Sequence, residues 1–325
     1  MNGRVISTDT KPSSRPSRQI NVVLRTPDSA GSGAAALPAE SDSLTQPKAA
    51  PYDTQFTPIQ KQLDQMVGME NVKDLVYEIY ALLQVSHMRV EAGLQSGSQV
   101  YHMIFRGNPG TGKTTVARMV AKLFQNMGVL TKGHLIEVER ADLVGEYIGH
   151  TAQRTRDLVK RALGGILFID EAYSLARGGE KDFGKEAIDT LVKAMEDHKN
   201  QFILILAGYS EEMNQFLQLN PGLPSRFPIQ IDFPDYSVDQ LLQICELMLK
   251  ERDYQIAPPA VFKLRQHLMQ EKQSYLHSFS NARYVRNVIE KAIRYQAVRL
   301  LGTGMPPTKH ELMQLKPEDL RFDKL

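Results

Sequence analysis

Between Tyr101 and Phe233 the apolar residues gather in five short runs: YHMIFRG (101–107), HLIEVER (134–140), GILFID (165–170), FILILAG (202–208) and IQIDF (229–233). Their length and their content of Ile, Val, Leu and Phe predict strands. The runs are nearly all apolar, as expected when both faces of a sheet are covered. Between them, residues 113–127, 151–163 and 185–198 carry apolar positions at helical spacing. Strands alternating with helices predict a parallel sheet with helices on both faces.

Helical spacing also marks residues 58–66 and 69–84, which are interrupted by Val67-Gly68. After Pro234 the strand signals stop. Ser237 with Gln240 three residues on predicts a capping box that opens a helix over 238–252, and further helices are expected at 259–272 and 282–301. The chain therefore divides into an α/β domain over 55–235 and a helical domain over 236–325. Residues 1–54 are rich in Ser, Pro, Thr, Ala and Gly, which predicts a flexible tail. Within it, INVVLRT (20–26) could be a strand that docks elsewhere.

Composition narrows the class. Of the 325 residues 42% are hydrophobic and 23% charged, typical of a globular protein. A net charge of +2 provides no overall field for nucleic acid or membranes. The single cysteine, Cys245, lies in the apolar run LLQICELML and reads as a core residue, which fits a reducing compartment. There is no apolar segment near Met1 and no run of about 18 apolar residues, so a cytoplasmic protein without membrane partners is expected. The eight histidines show no paired metal spacing, and no protein-held zinc is expected.

The first strand leads directly into GNPGTGKT, Gly107 to Thr114, and then into a helix. This is the phosphate-loop pattern in its required strand–loop–helix setting. Glycines let the backbone N–H groups of Gly107, Asn108, Pro109, Gly110, Thr111 and Gly112 and their neighbours turn toward phosphate oxygens, proline excepted. The helix points its positive end at the same place, where Thr115 follows. Lys113 supplies a cation for the terminal phosphates of ATP, and the Thr114 hydroxyl is a ligand for Mg²⁺. The third strand ends in ILFIDE. There Asp170 suits the surroundings of the Mg²⁺ ion, and Glu171 suits a base that orients or deprotonates water.

Taken together, these motifs resemble the AAA+ ATPases over about residues 55–325, within the subgroup of the red-type Rubisco activases. The resemblance implies a P-loop α/β domain with a five-stranded parallel sheet, followed by a small all-helical lid. VGMENVKDLV (67–76) resembles the segment that covers adenine, which assigns Val67 and Gly68 to the nucleotide. NPGLPSRF (220–227) resembles the stretch that carries the arginine finger, here Arg226. NARYVRN (281–287) resembles the start of the sensor 2 helix, with Arg283 at the sensor position and Arg286 at an interface. Tyr209 stands where many members have an asparagine as sensor 1, although its hydroxyl can also reach a water.

In the family, the loop LVGEYIGHT faces the central channel of a ring. This assigns Tyr147, Ile148 and Gly149 to gripping a polypeptide, with the second loop at 176–186 as a further channel candidate. The implied protein is an ATP-hydrolysing homo-oligomer, a hexameric ring, that remodels or partly threads a protein partner, with a role in spore formation. A nucleotide-switch or clamp-loader-like module acting on DNA is the alternative. It is disfavoured because the chain has no helix-turn-helix candidate, no basic stripe and no aromatic-basic stacking surface. A scaffold that binds ATP but turns over poorly fits badly with the presence of Asp170, Glu171 and Arg226.

Overall fold

Side chains alternate across a strand, so a sheet buried on both sides needs apolar residues at odd and even positions alike. The three central runs meet that need, whereas the two edge runs carry exposed polar residues, Glu137 in HLIEVER and Gln230 and Asp232 in IQIDF. The computed structural model describes residues 53–322 apart from 96, 98, 148, 178–181, 275–278, 303 and 305. In it the runs form β1 (Met103–Gly107), β2 (Leu135–Val138), β3 (Ile166–Ile169), β4 (Ile203–Gly208) and β5 (Ile229–Phe233). They build one parallel sheet in the order β2-β3-β4-β1-β5. Residues 1–52 of the expected tail, including INVVLRT, lie outside the described residues, and the first helix, α1 (Asp53–Asp64), begins directly after them.

The alternation assigns each face its cover. Phe105, Phe168, Ile205 and Ile231 join one buried cluster with Val76 and Ile79 of α2 (Glu70–Glu91) and with Val116, Val120 and Phe124 of α3 (Lys113–Asn126). Ile104, Leu167 and Leu204 join a second cluster. Its helices are α4 (Arg140–Leu143), α5 (His150–Ala162), α6 (Gly184–Asp197) and α7 (Ser210–Leu219). The helix α7 was not anticipated. Its Met213, Phe216 and Leu217 nevertheless stand at helical spacing and are all buried.

After β5 come α8 (Val238–Lys250), β6 (Gln255–Ile256), α9 (Pro258–Ser274), α10 (Asn281–Gly302), α11 (Lys309–Met313) and β7 (Gln314–Leu315). The expected capping box opens α8. The Gln240 N–H donates to Ser237 Oγ at 3.1 Å, and the Ser237 N–H donates to Gln240 Oε1 at 2.8 Å. This helical lid also holds the short parallel pair β6–β7, which no periodicity announced. Leu241, Leu264, Val285 and Ile289 belong to the same buried cluster as Phe105, so the apolar interior runs unbroken from the sheet into the lid. Cys245 is part of it, and burial pushes its thiol up to about 12. Among the described residues no helix is long and apolar enough to cross a membrane.

Candidate functional site

Ligands of open α/β sheets bind beyond the carboxyl ends of the strands. Here a cavity of about 590 Å³ lies at those ends and is closed on one side by the lid. Lys113, Thr114, Thr115, Asp170, Glu171 and Arg283 all line it. Its size suits a bound nucleotide.

The turn between β1 and α3 is held tightly from both sides. At Gly107, with φ +151°, a Cβ would lie 2.4 Å from the Phe233 carbonyl oxygen of the neighbouring strand β5. At Gly110, with φ +72°, it would lie 2.3 Å from the carbonyl oxygen of Ser280, just before α10. Only glycine permits both approaches. Thr111 is buried, and its hydroxyl donates to the Asn108 carbonyl at 2.8 Å. Pro109, Gly110 and Gly112 line the cavity, whereas the Gly107 and Asn108 carbonyls accept hydrogen bonds from Lys113 Nζ at 2.7 and 2.9 Å.

Burial lowers the Lys113 ammonium to about 8, with Asp170 opposing the shift and Arg283 adding to it. A dianionic phosphate placed there would raise it again. A nucleotide bound there would therefore take up a proton once the pH exceeds about 8. ATP affinity is expected to hold steady at neutral pH and to fall above it by up to about ten-fold per pH unit. Calorimetry in buffers of different ionisation enthalpy checks this, since no proton uptake at pH 9 would refute it.

Asp170 follows the last residue of β3. Its N–H donates to the Val138 carbonyl at 3.0 Å, and its Oδ1 accepts the Glu171 N–H at 3.0 Å. Glu171 takes a left-handed backbone, φ +46°, which is uncommon for a residue with a Cβ and turns the chain sharply at the strand end. Tyr209, directly after β4, lines the same cavity. Burial first and the charge of Glu171 second raise the pKa of its hydroxyl, so it remains a hydrogen-bond donor at neutral pH.

Sequence reasoning missed a third carboxylate. Glu137 of β2 lines the cavity, accepts from the Thr114 hydroxyl at 3.4 Å and pairs with Arg118 at 3.1 Å. A charge inside an otherwise apolar strand was the available signal. Thr114, Asp170 and Glu137 offer hard oxygen donors beside the phosphate loop, a donor set that fits Mg²⁺ held mainly by nucleotide and water.

From the side before the sheet, Gln65, Met66 and Val67 line the cavity, while Gly68 abuts Gln240 of α8. From the lid, both Arg283 and Arg286 line it, so Arg286 shares the site with Arg283. Arg226 stands apart. It lies in the 3₁₀ turn Pro224–Arg226, where Nη2 binds Glu196 Oε1 at 2.5 Å and Nη1 donates to the Gly222 carbonyl at 2.7 Å.

Tyr147 is also not among the residues that line the cavity. It is 65% exposed, and among the described residues its ring meets that of His150, edge to face at 5.3 Å. Gly149 precedes α5 with φ +82°. Ile148, and residues 178–181 of the second loop, lie outside the described residues.

Comparison with known proteins bears on this arrangement directly. Residues 103–235 match the ATPase family associated with various cellular activities (AAA), and residues 237–325 match the AAA lid domain. Stage V sporulation protein K of Bacillus subtilis (strain 168) is 64% identical over 263 residues, which cover 81% of each chain. This chain belongs to the AAA ATPase family. Its AAA relatives include protein CbbX of Cereibacter sphaeroides, 44% identical over 269 residues that cover 82% of this chain and 86% of that one. The chloroplastic ribulose bisphosphate carboxylase/oxygenase activase of Cyanidioschyzon merolae is 44% identical over 275 residues, covering 83% and 93%. AAA membership implies nucleotide binding, and the cavity is where the AAA and lid segments meet.

Proposed function

We propose that this chain hydrolyses ATP as a cytoplasmic hexameric ring and uses the cycle to remodel, or partly thread, a protein partner in spore formation. The domains at work are the α/β domain over 55–235 and the lid over 236–325. The phosphate loop, Gly107 to Thr115, cradles the phosphates, with Lys113 as the cation. Val67 and Gly68 cover the base. Thr114 and Asp170 hold Mg²⁺, which when bound neutralises charge on the phosphate oxygens. Glu171 orients the attacking water and takes its proton, with the Tyr209 hydroxyl as a second donor or acceptor to that water. Arg283 reaches the terminal phosphate from the lid. Arg226 leaves Glu196 and serves the site of the neighbouring subunit, where a cation compensates charge in the transition state.

The observation that carries the remodelling reading is the solvent-held aromatic Tyr147 on the loop between α4 and α5. A ring of such side chains can grip a polypeptide without reading its sequence, and Gly149 lets the loop follow the nucleotide state. One relative supports a protein object, the activase named for the carboxylase it acts on, and the sporulation protein supports the setting in spore formation.

Tyr147→Ala is expected to leave assembly and melting temperature unchanged and basal ATPase within about two-fold of native, because the side chain buries little. It should abolish stimulation by the partner and all remodelling. Tyr147→Phe should keep most function, since the ring face and its area remain. A packing role predicts the opposite pattern, a loss of a few kcal/mol of stability with partner stimulation retained per folded molecule. A thermal melt beside an ATPase assay with and without partner separates the two.

A further inference from the structure

The phosphate loop and the lid meet at a buried side chain that none of the roles above uses. Asn281 opens α10, is 0% exposed and has φ +46°, a conformation best tolerated by Asn, Asp and Gly. Its side chain works in two directions. Oδ1 accepts the Tyr236 N–H at 3.0 Å. Nδ2 donates to Asp235 Oδ1 at 2.7 Å and to the Phe279 carbonyl at 2.9 Å, with the Pro109 carbonyl at 3.4 Å. The same Asp235 oxygen accepts from Asn108 Nδ2 of the phosphate loop at 3.0 Å. One residue further, the Ala282 N–H donates to the Gly110 carbonyl at 3.2 Å.

The first turn of α10 is thus fastened to the phosphate loop through Asp235 and directly at the Pro109 and Gly110 carbonyls. A residue wanted only for packing at a buried position would be apolar, because an amide there must find a partner for each polar atom. Asn281 finds them on the hinge between the domains and on the phosphate loop together, which fixes both the position and the rotation of α10. Arg283 lies two residues on, in the same turn, and lines the cavity.

We infer that Asn281 is a positioning residue: with Asp235 as shared acceptor, it clamps α10 to the phosphate loop so that Arg283 meets the terminal phosphate of a nucleoside triphosphate. The inference rests on the reading of Arg283 as the lid residue that reaches that phosphate. Its signature is discrimination between triphosphate and diphosphate, not affinity as such.

The test is an equilibrium titration of the full chain with ATP and ADP, read as the ratio of the two affinities. Asn281→Gly keeps the left-handed backbone and removes the amide. It should lower the ratio by about five-fold or more while leaving ADP affinity within about two-fold. Asp235→Ala should do the same. Asp235→Asn retains Oδ1 as an acceptor for both amides while Asn108 loses its second acceptor, Oδ2; it should keep more of the ratio than Asp235→Ala, and this pair of variants carries the test if Asn281→Gly does not fold. Arg283→Ala should lower the ratio as well, and adding Asn281→Gly to it should change the ratio no further.

Equal losses of ATP and ADP affinity in Asn281→Gly, with a lower melting temperature, would mark a purely local structural role and overturn the inference. So would an additive loss in the double variant. An unchanged ratio in Arg283→Ala overturns the reading of Arg283, and the inference with it. A lowered ratio there beside an unchanged ratio in Asn281→Gly overturns the inference alone.

Discussion

Arg226→Ala is expected to bind ATP as tightly as the native chain and to hydrolyse it about 10³-fold more slowly, the range found for arginines supplied in trans. The geometry explains why binding should survive. Arg226 does not line the cavity that Lys113 lines, and its guanidinium is engaged by Glu196 and the Gly222 carbonyl instead. Its ion pair is partly solvent-exposed and contributes little to stability, so the variant should fold normally. Mixed rings provide the decisive measurement. Lys113→Ala subunits have lost their own phosphate cation but keep Arg226, which can serve an intact site on an adjacent Arg226→Ala subunit. Mixing two nearly inactive proteins should therefore recover activity at intermediate ratios. Rings that form and recover nothing at any ratio would refute the assignment between subunits.

Glu171→Gln is expected to keep ATP binding and to lose about 10²-fold or more in turnover, since only the base is removed. The backbone makes this a clean substitution. Glutamine has the same shape and tolerates the left-handed φ of +46° about as well, so the bond from the residue 171 N–H to Asp170 Oδ1 should persist. Single-turnover hydrolysis beside a fluorescent-nucleotide titration reads the two quantities separately. Near-native turnover would remove Glu171 from the chemistry. Equal losses of binding and turnover would point to a disturbed strand end instead.

The parts of the molecule that were legible in the sequence are those encoded by neighbours along the chain. The phosphate loop was plain because its turn, its lysine and its helix start are consecutive, and the three central strands were plain because burial on both faces leaves nearly unbroken apolar runs. Strand ends were less so: HLIEVER yields only Leu135–Val138, because Arg140 already belongs to α4, whose capping box joins Glu139 and Asp142. The helix α7 is short and lies between Gly208-Tyr209 and a Pro-Gly turn, so its three buried residues hardly declare a period. The pair β6–β7 joins two-residue strands from opposite ends of the lid, and no local pattern encodes such a contact. The same limit hid part of the site. Glu137, Asp235 and Asn281 reach the phosphate loop only through the sheet order and the placement of the lid. Asn281 stood in view as the first residue of NARYVRN, yet charge drew attention to the arginines that follow it.

The burial of Cys245 has a practical chemical consequence. Thiol reagents attack the thiolate, and burial pushes the Cys245 thiol far above the usual thiol range, which disfavours the thiolate at neutral pH. The side chain is also 2% exposed, which denies access to most electrophiles. Since the chain holds no other cysteine, little background labelling by maleimides is expected. A single reporter thiol introduced at an exposed position, for instance by Tyr147→Cys, would then carry a fluorophore or a crosslinker alone, with no need to remove the native residue from the core.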